Sequence, residues 1–131
     1  MTTESLISEA KALIARHESA FESGDLDAVM KNFADDVVVI TNDAPVMEGK
    51  PSLKNLYRGF LDLGRWSFRH QYSGAVVTEG CVHLHGVAQG THAPGKGDAP
   101  FSFANNFLIV VRRVDGQPLI WRAAFMPAAS E

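Results

Sequence analysis

Residues 21–41 read Phe-Glu-Ser-Gly-Asp-Leu-Asp-Ala-Val-Met-Lys-Asn-Phe-Ala-Asp-Asp-Val-Val-Val-Ile-Thr. Gly24 can take the left-handed conformation that ends a helix, and Asp25 has the side chain that caps the start of another. Leu26, Val29, Met30 and Phe33 then supply the apolar stripe of a short second helix. Asp35 and Asp36 read as solvated residues at its end. Val37-Val38-Val39-Ile40-Thr41 is β-branched throughout and predicts a buried strand.

Upstream, Leu6, Ala10, Leu13, Ile14, His17 and Phe21 recur at helical spacing, which predicts an amphipathic helix over about 4–23. Downstream, Asn42-Asp43-Ala44-Pro45 is turn chemistry, and a short strand over 46–48 is expected to pair back. Pro51 suits the first turn of a third helix whose buried face is Leu53, Leu56, Tyr57, Phe60 and Leu61, with Gly64 as its end. From Trp66 the period becomes two. Strands are expected from Trp66 towards Thr78, over 81–91, over 101–113 and over 119–126, with a flexible loop at 92–99. Helices early and antiparallel strands late predict an α+β fold in one domain, 1–131. The helices must bury their stripes on one face of a curved sheet. The result is a cone with an apolar mouth, where a ligand site is expected.

The chain has 131 residues, of which 46% are hydrophobic and 21% charged, with a net charge of −3. These values fit a folded globular domain and not a disordered chain. The acidic balance, with a pI near 5.9, argues against nucleic acid as a partner. No apolar run approaches a membrane span. The single cysteine, Cys81, excludes a disulfide framework and reads as a structural thiol. Glu4 and Glu9 near the start and the lack of a basic leader lead us to expect no signal peptide, hence a cytoplasmic protein.

The stretches Phe21 to Val29 and Phe33 to Val37, Gly49 before the third helix, and Trp121-Arg122-Ala123-Ala124-Phe125 resemble the NTF2-like (cystatin-like) superfamily. Ketosteroid isomerases, SnoaL-type polyketide cyclases, scytalone dehydratase and limonene epoxide hydrolase belong to it. The resemblance implies three N-terminal helices packed on a curved, mostly antiparallel sheet. Ketosteroid isomerase uses an aspartate base and an oxyanion hole of a tyrosine and a protonated aspartic acid. The resemblance carries the tyrosine onto His17, the base near Thr41 with Asp43 two residues on, and the protonated acid onto Asn105. None of the three matches in kind.

The candidate catalytic residues are therefore His17, Asp43 and Asn105. His17 lies on the apolar stripe of the first helix, and its titration near neutrality suits an acid or base. Alternation lets only one of Asn105 and Asn106 face inward, and the resemblance favours Asn105. Tyr57, Phe60, Phe103, Phe107, Trp121, Ala123 and Phe125 are the expected pocket lining. Asp43 and Tyr57 are possible helpers. His83 and His85 share one strand face and could ligate a metal, but no further ligand is visible, with Gln89 where a carboxylate would stand. No metal and no cofactor are expected, since an acid–base pair in an apolar pocket suffices.

The expected activity is proton transfer on a small, largely apolar carbonyl or hydroxyl compound: isomerisation, dehydration or aldol-type cyclisation. The alternative is a non-catalytic ligand-binding or dimerisation module. The late strands are apolar on both faces, so a homodimer paired through the outer sheet face is expected.

Overall fold

The computed structural model describes residues 1–42, 44–95 and 97–129. Thr2 starts the first helix, α1 (Thr3–Ser23), its hydroxyl accepting the Ser5 N–H at 3.0 Å. Gly24, at φ 72°, closes it, and Asp25 caps α2 (Leu26–Met30) by accepting the Ala28 N–H at 3.2 Å. The remaining elements are β1 (Phe33–Thr41), β2 (Met47–Glu48), α3 (Lys50–Asp62), β3 (Gly64–Thr78), β4 (Cys81–Pro94), β5 (Phe101–Val114) and β6 (Gln117–Pro127). Two helices thus precede the sheet, and the third follows its first two strands. One six-stranded sheet has the order β2-β1-β6-β5-β4-β3, with β1 parallel to β6 and every other pair antiparallel. Leu13 and Ile14 of α1, Val29 of α2 and Leu53 of α3 meet Phe33, Val37, Val39, Leu84 and Ile120 of the sheet in one fully buried core.

Three expectations on the strands need correction. β1 begins at Phe33, so Phe33, Asp35 and Asp36, read as the stripe and end of the second helix, are strand residues. The 92–99 segment is not all loop: β4 runs on to Pro94, and His92 pairs with Trp66 on one side and Phe101 on the other. Aromatic neighbours on both sides give a strand rung that Pro94 and Gly95 mask in the sequence. Trp121, expected in the pocket lining, points outward. The register slips at this point, Val110 facing Arg122 while Val111 faces Ile120. Trp121 is the extra residue of that bulge, so period-two counting from Ala123 fails across it. Outside, its indole Nε1–H donates to Asp36 Oδ2 at 3.3 Å, and the guanidinium groups of Arg112 and Arg122 lie 4.4 and 4.1 Å from its ring.

Sheet curvature comes from backbone contact. Gly86 and Gly90 of β4 face the cone, where β3 comes so close that a Cβ on Gly86 would strike the Gln71 carbonyl oxygen, and one on Gly90 the Ser67 carbonyl oxygen. Beside them Ser73 is bulged out of register, between the pairs Tyr72–Gly86 and Gly74–His85. Glycine and a bulge are the usual means of bending a strand pair. Gly86→Ala should therefore lower the melting temperature, by about 1–3 kcal/mol of stability, since backbone cannot rotate out of the way. Gly59→Ala, on α3 with open space at its Cβ, should be neutral or stabilising by about 0.5–1 kcal/mol. Equal melting temperatures for the Gly86 variant and the parent would show that the close approach is not a constraint.

Candidate active site

Between the helices and the concave sheet face lies a cavity of about 200 Å³. His17, Asn105, Tyr57, Phe60, Phe103, Phe107, Ala123 and Phe125, eight of the residues named from sequence, line it. Asn106 is exposed on the other face, so the inward amide is that of Asn105. Trp121 is outside, and Asp43 lies outside the described residues. His83 and His85 do not line the cavity. Their neighbours Val82 and Leu84 are buried in the core, which puts the two histidines on the convex face. Cys81 is a half-buried free thiol at the start of β4.

His17 is 6% exposed and ringed by Phe21 and Phe33, each with its ring centre 5.1 Å away and nearly perpendicular. Its Nδ1 lies 3.2 Å from the Asn32 amide nitrogen, which is also 3.3 Å from the Ala28 carbonyl oxygen. A carbonyl can only accept, so Asn32 must present nitrogen to both. His17 Nδ1 is then an acceptor, and the proton of the neutral ring sits on Nε2. Burial, with some help from His70, pushes the imidazole pKa down to about 3. His17 is thus a neutral ring that offers an N–H to the cavity. With Nδ1 already accepting, the ring can donate through Nε2 and has no free lone pair with which to act as a base.

A second histidine of the cavity was not singled out as a candidate in the sequence. His70 of β3 also lines the cavity. Its Nδ1 is 2.8 Å from Glu18 Oε2, and its main-chain N–H donates to the same oxygen at 2.7 Å. With both donors on one carboxylate oxygen, Glu18 accepts, and Nδ1 carries the proton. Nε2 keeps its lone pair, and among the described residues it has no hydrogen-bond partner. Burial lowers the His70 pKa, while the bond and charge of Glu18 pull it back up; the net direction is down. His70 is therefore neutral at pH 7 and can take a proton, with Glu18 beside it to stabilise the cation. Alternation along β3 puts His70 on the same face as Trp66, Phe68 and Tyr72, a signal present in the sequence. Glu18, directly after His17 on α1, points to nothing until α1 is laid on β3.

The SnoaL-like domain family matches residues 14–122, most of the chain; of the cavity residues only Ala123 and Phe125 of β6 lie beyond it. The protein belongs to the SnoaL-like family. This SnoaL-like domain has the NTF2-like fold of several solved structures. One is a ketosteroid isomerase-like protein from Erwinia carotovora atroseptica, at TM-score 0.84 and 18% identity over 98% of this chain and 100% of that one. Another is a candidate dehydratase of the NTF2-like family from Streptomyces avermitilis, at TM-score 0.87 and 14% identity over 98% and 100%. A candidate calcium/calmodulin dependent protein kinase II association domain from Xanthomonas campestris matches at 0.81 and 19% over 92% and 86%. At these identities the likeness carries the fold. A search of curated proteins gives no sequence match.

His17 and His70 of the SnoaL-like domain make its stability depend on pH. An unfolded His17 takes up a proton near 6.5, the folded one only near 3, so the unfolded chain binds more protons between those values. The stabilisation is complete above about pH 6.5 and drains as the pH falls towards 3; His70 acts in the same direction. Melting temperatures measured between pH 7 and pH 4 should fall, and the slope should be shallower in His17→Gln. An unchanged slope in that variant would mean His17 is not held neutral by the fold.

Proposed function

We propose that the protein is a proton-transfer enzyme that needs no cofactor, acting on a small, uncharged, largely apolar compound with a carbonyl or hydroxyl group. The observation that carries this reading is one cavity holding two neutral imidazoles of opposite hydrogen-bonding sense. A ketone seated there would place its oxygen at His17 Nε2–H and the adjacent carbon at His70 Nε2. His70 removes the proton from that carbon, Glu18 stabilises the resulting imidazolium, and His17 stabilises the enolate oxygen. The Asn105 amide orients the substrate, and Tyr57 closes one wall. The enolate can take the proton back at another carbon, which is isomerisation. It can expel a β-hydroxyl that leaves with the proton from His70, which is dehydration. It can also add to a second carbonyl, which is cyclisation. The aromatic lining favours an uncharged partner, and the candidate dehydratase among the structural relatives supports the same class.

Exchange of the hydrogens beside a carbonyl into heavy water tests the first step without the true substrate. A panel of cyclic ketones, followed by proton NMR, should show catalysed exchange with at least one member. His70→Ala should slow it by on the order of 10²–10⁴-fold. His17→Phe should slow it comparably, and Glu18→Gln should slow it while moving the pH profile. Undiminished exchange in His70→Ala would remove the proposed base and with it this mechanism.

A second reading, a dimerisation module, draws on the convex face. There the cross-strand rows Val76–His83–Val110–Arg122 and His85–Leu108–Ala124 carry apolar side chains among polar ones. Val76 is 57% exposed, Leu108 48% and Met126 52%. Exposed apolar residues on neighbouring strands suit a two-fold pairing of sheets. The likeness to an association domain supports it too. Both readings hold together if two copies pair by their convex faces and leave each cavity free. Sedimentation should give about twice the 14.2 kDa chain mass, and Leu108→Glu should return it to a single chain. A parent protein that sediments as a monomer would rule the pairing out.

A further inference from the structure

Among the described residues, the only side-chain nitrogens or oxygens wholly closed off from solvent and without a hydrogen-bond partner are the two ring nitrogens of His92. A neutral imidazole has one donor and one acceptor, and leaving both unmade inside a protein is costly. The ring is 5% exposed. It stacks on the Trp66 indole with centres 4.1 Å apart, and the Phe101 ring meets it edge-on at 5.0 Å. Natural sequences rarely keep such a group for stability, because an apolar ring would fit the same aromatic stack at no polar cost.

Strand register shows where His92 sits relative to the acid–base pair. Three rungs cross β3, β4 and β5 on the concave face: His70–Ala88–Asn105, then Phe68–Gly90–Phe103, then Trp66–His92–Phe101. His92 is four residues along β4 from Ala88, about 13 Å on an extended strand. The cavity reaches as far as Trp66 and Phe103, whose ring centres are 5.6 Å apart, and His92 lies directly behind the Trp66 indole. The outer cover is Phe101, the first residue of β5 and half exposed. Trp66 itself is tethered, its indole N–H donating to the Phe60 carbonyl oxygen at 2.7 Å. The contact between Trp66 and Phe103 closes the cavity off from His92, and of that pair Phe103, which has no such tether, is the side that can yield.

The geometry points to His92 as a second polar binding site, at the far end of the cavity, for an elongated ligand. Such a ligand has one polar group at His17 and His70 and a hydroxyl or carbonyl at the opposite end, which meets His92 when Phe103 swings away from Trp66. This rests on the reading of the cavity as a ligand site. It adds a length and a second functional group to the substrate class. His92 contributes to binding there and takes no part in the proton transfer.

Two rigid probes of the same width separate the possibilities: para-phenylphenol, with one hydroxyl, and para,para′-biphenol, with one at each end. Calorimetric titration should find the biphenol bound about 3–10-fold more tightly by the parent protein, the gain of one made hydrogen bond. His92→Leu should abolish that ratio and leave the affinity for para-phenylphenol unchanged. Its melting temperature should be equal to or above that of the parent, since two unpartnered nitrogens are gone. Equal affinities for the two probes in the parent, or an unchanged ratio in His92→Leu, would overturn the second site while leaving the cavity reading intact. A marked loss of stability in His92→Leu, with His92→Gln restoring it, would show the nitrogens to be held by structural water, and would also overturn it. Failure of both probes to bind would overturn the cavity reading itself, and this inference with it.

Discussion

Backbone contact between β3 and β4 is the constraint on which the molecule is built. Gly86 and Gly90 let two long strands approach where any Cβ would meet a carbonyl oxygen, and Ser73 is squeezed out of register beside them. The sheet bends around α1 as a result. A flat sheet would press its aromatic residues against the helix and fill the space between. The bent one holds Phe103, Phe107 and Phe125 away from α1 and α3, and what remains is a cavity with an aromatic wall. Its existence follows from geometry and does not depend on any one catalytic residue.

Electrostatics within that wall follow from what each histidine's Nδ1 touches. His17 faces an amide nitrogen and so must carry its proton on Nε2. His70 faces a carboxylate oxygen and so must leave Nε2 bare. The same apolar surroundings keep both rings neutral by penalising the charged form. One fold and one residue type thus yield a donor and an acceptor on the same cavity, differing only in their partners. Asn32 and Glu18 are positioning residues in this sense, acting on the cavity through the rings they hold.

The resemblance to ketosteroid isomerase pointed to His17 on the first helix and Asn105 on a late strand, and both line the cavity, though neither is the residue type that enzyme carries there. Among the described residues, the carboxylate that touches a cavity histidine comes from α1, as Glu18 on His70. Fold likeness therefore transferred places in the cone and not roles, as expected where one architecture hosts many chemistries.

Local rules reached far along this chain. Caps at Asp25 and Gly24, proline in the first turn of α3, β-branched runs and turn dipeptides are decided by residues within a few positions of one another. They placed all nine elements in order, and alternation allowed only one of Asn105 and Asn106 on the inner face with Phe103 and Phe107. They failed where an extra residue changed the parity of a strand, at Trp121, and where a proline and glycine concealed the end of one, at His92. Nothing local could pair Glu18 with His70 across 52 positions, or Asn32 with His17, because those contacts exist only once α1 lies across the bent sheet. Which residues stand inside the cone was written in the periodicity of the sequence. Which nitrogen of each histidine faces the cavity, and hence what each can do, was decided by packing between elements distant in the chain.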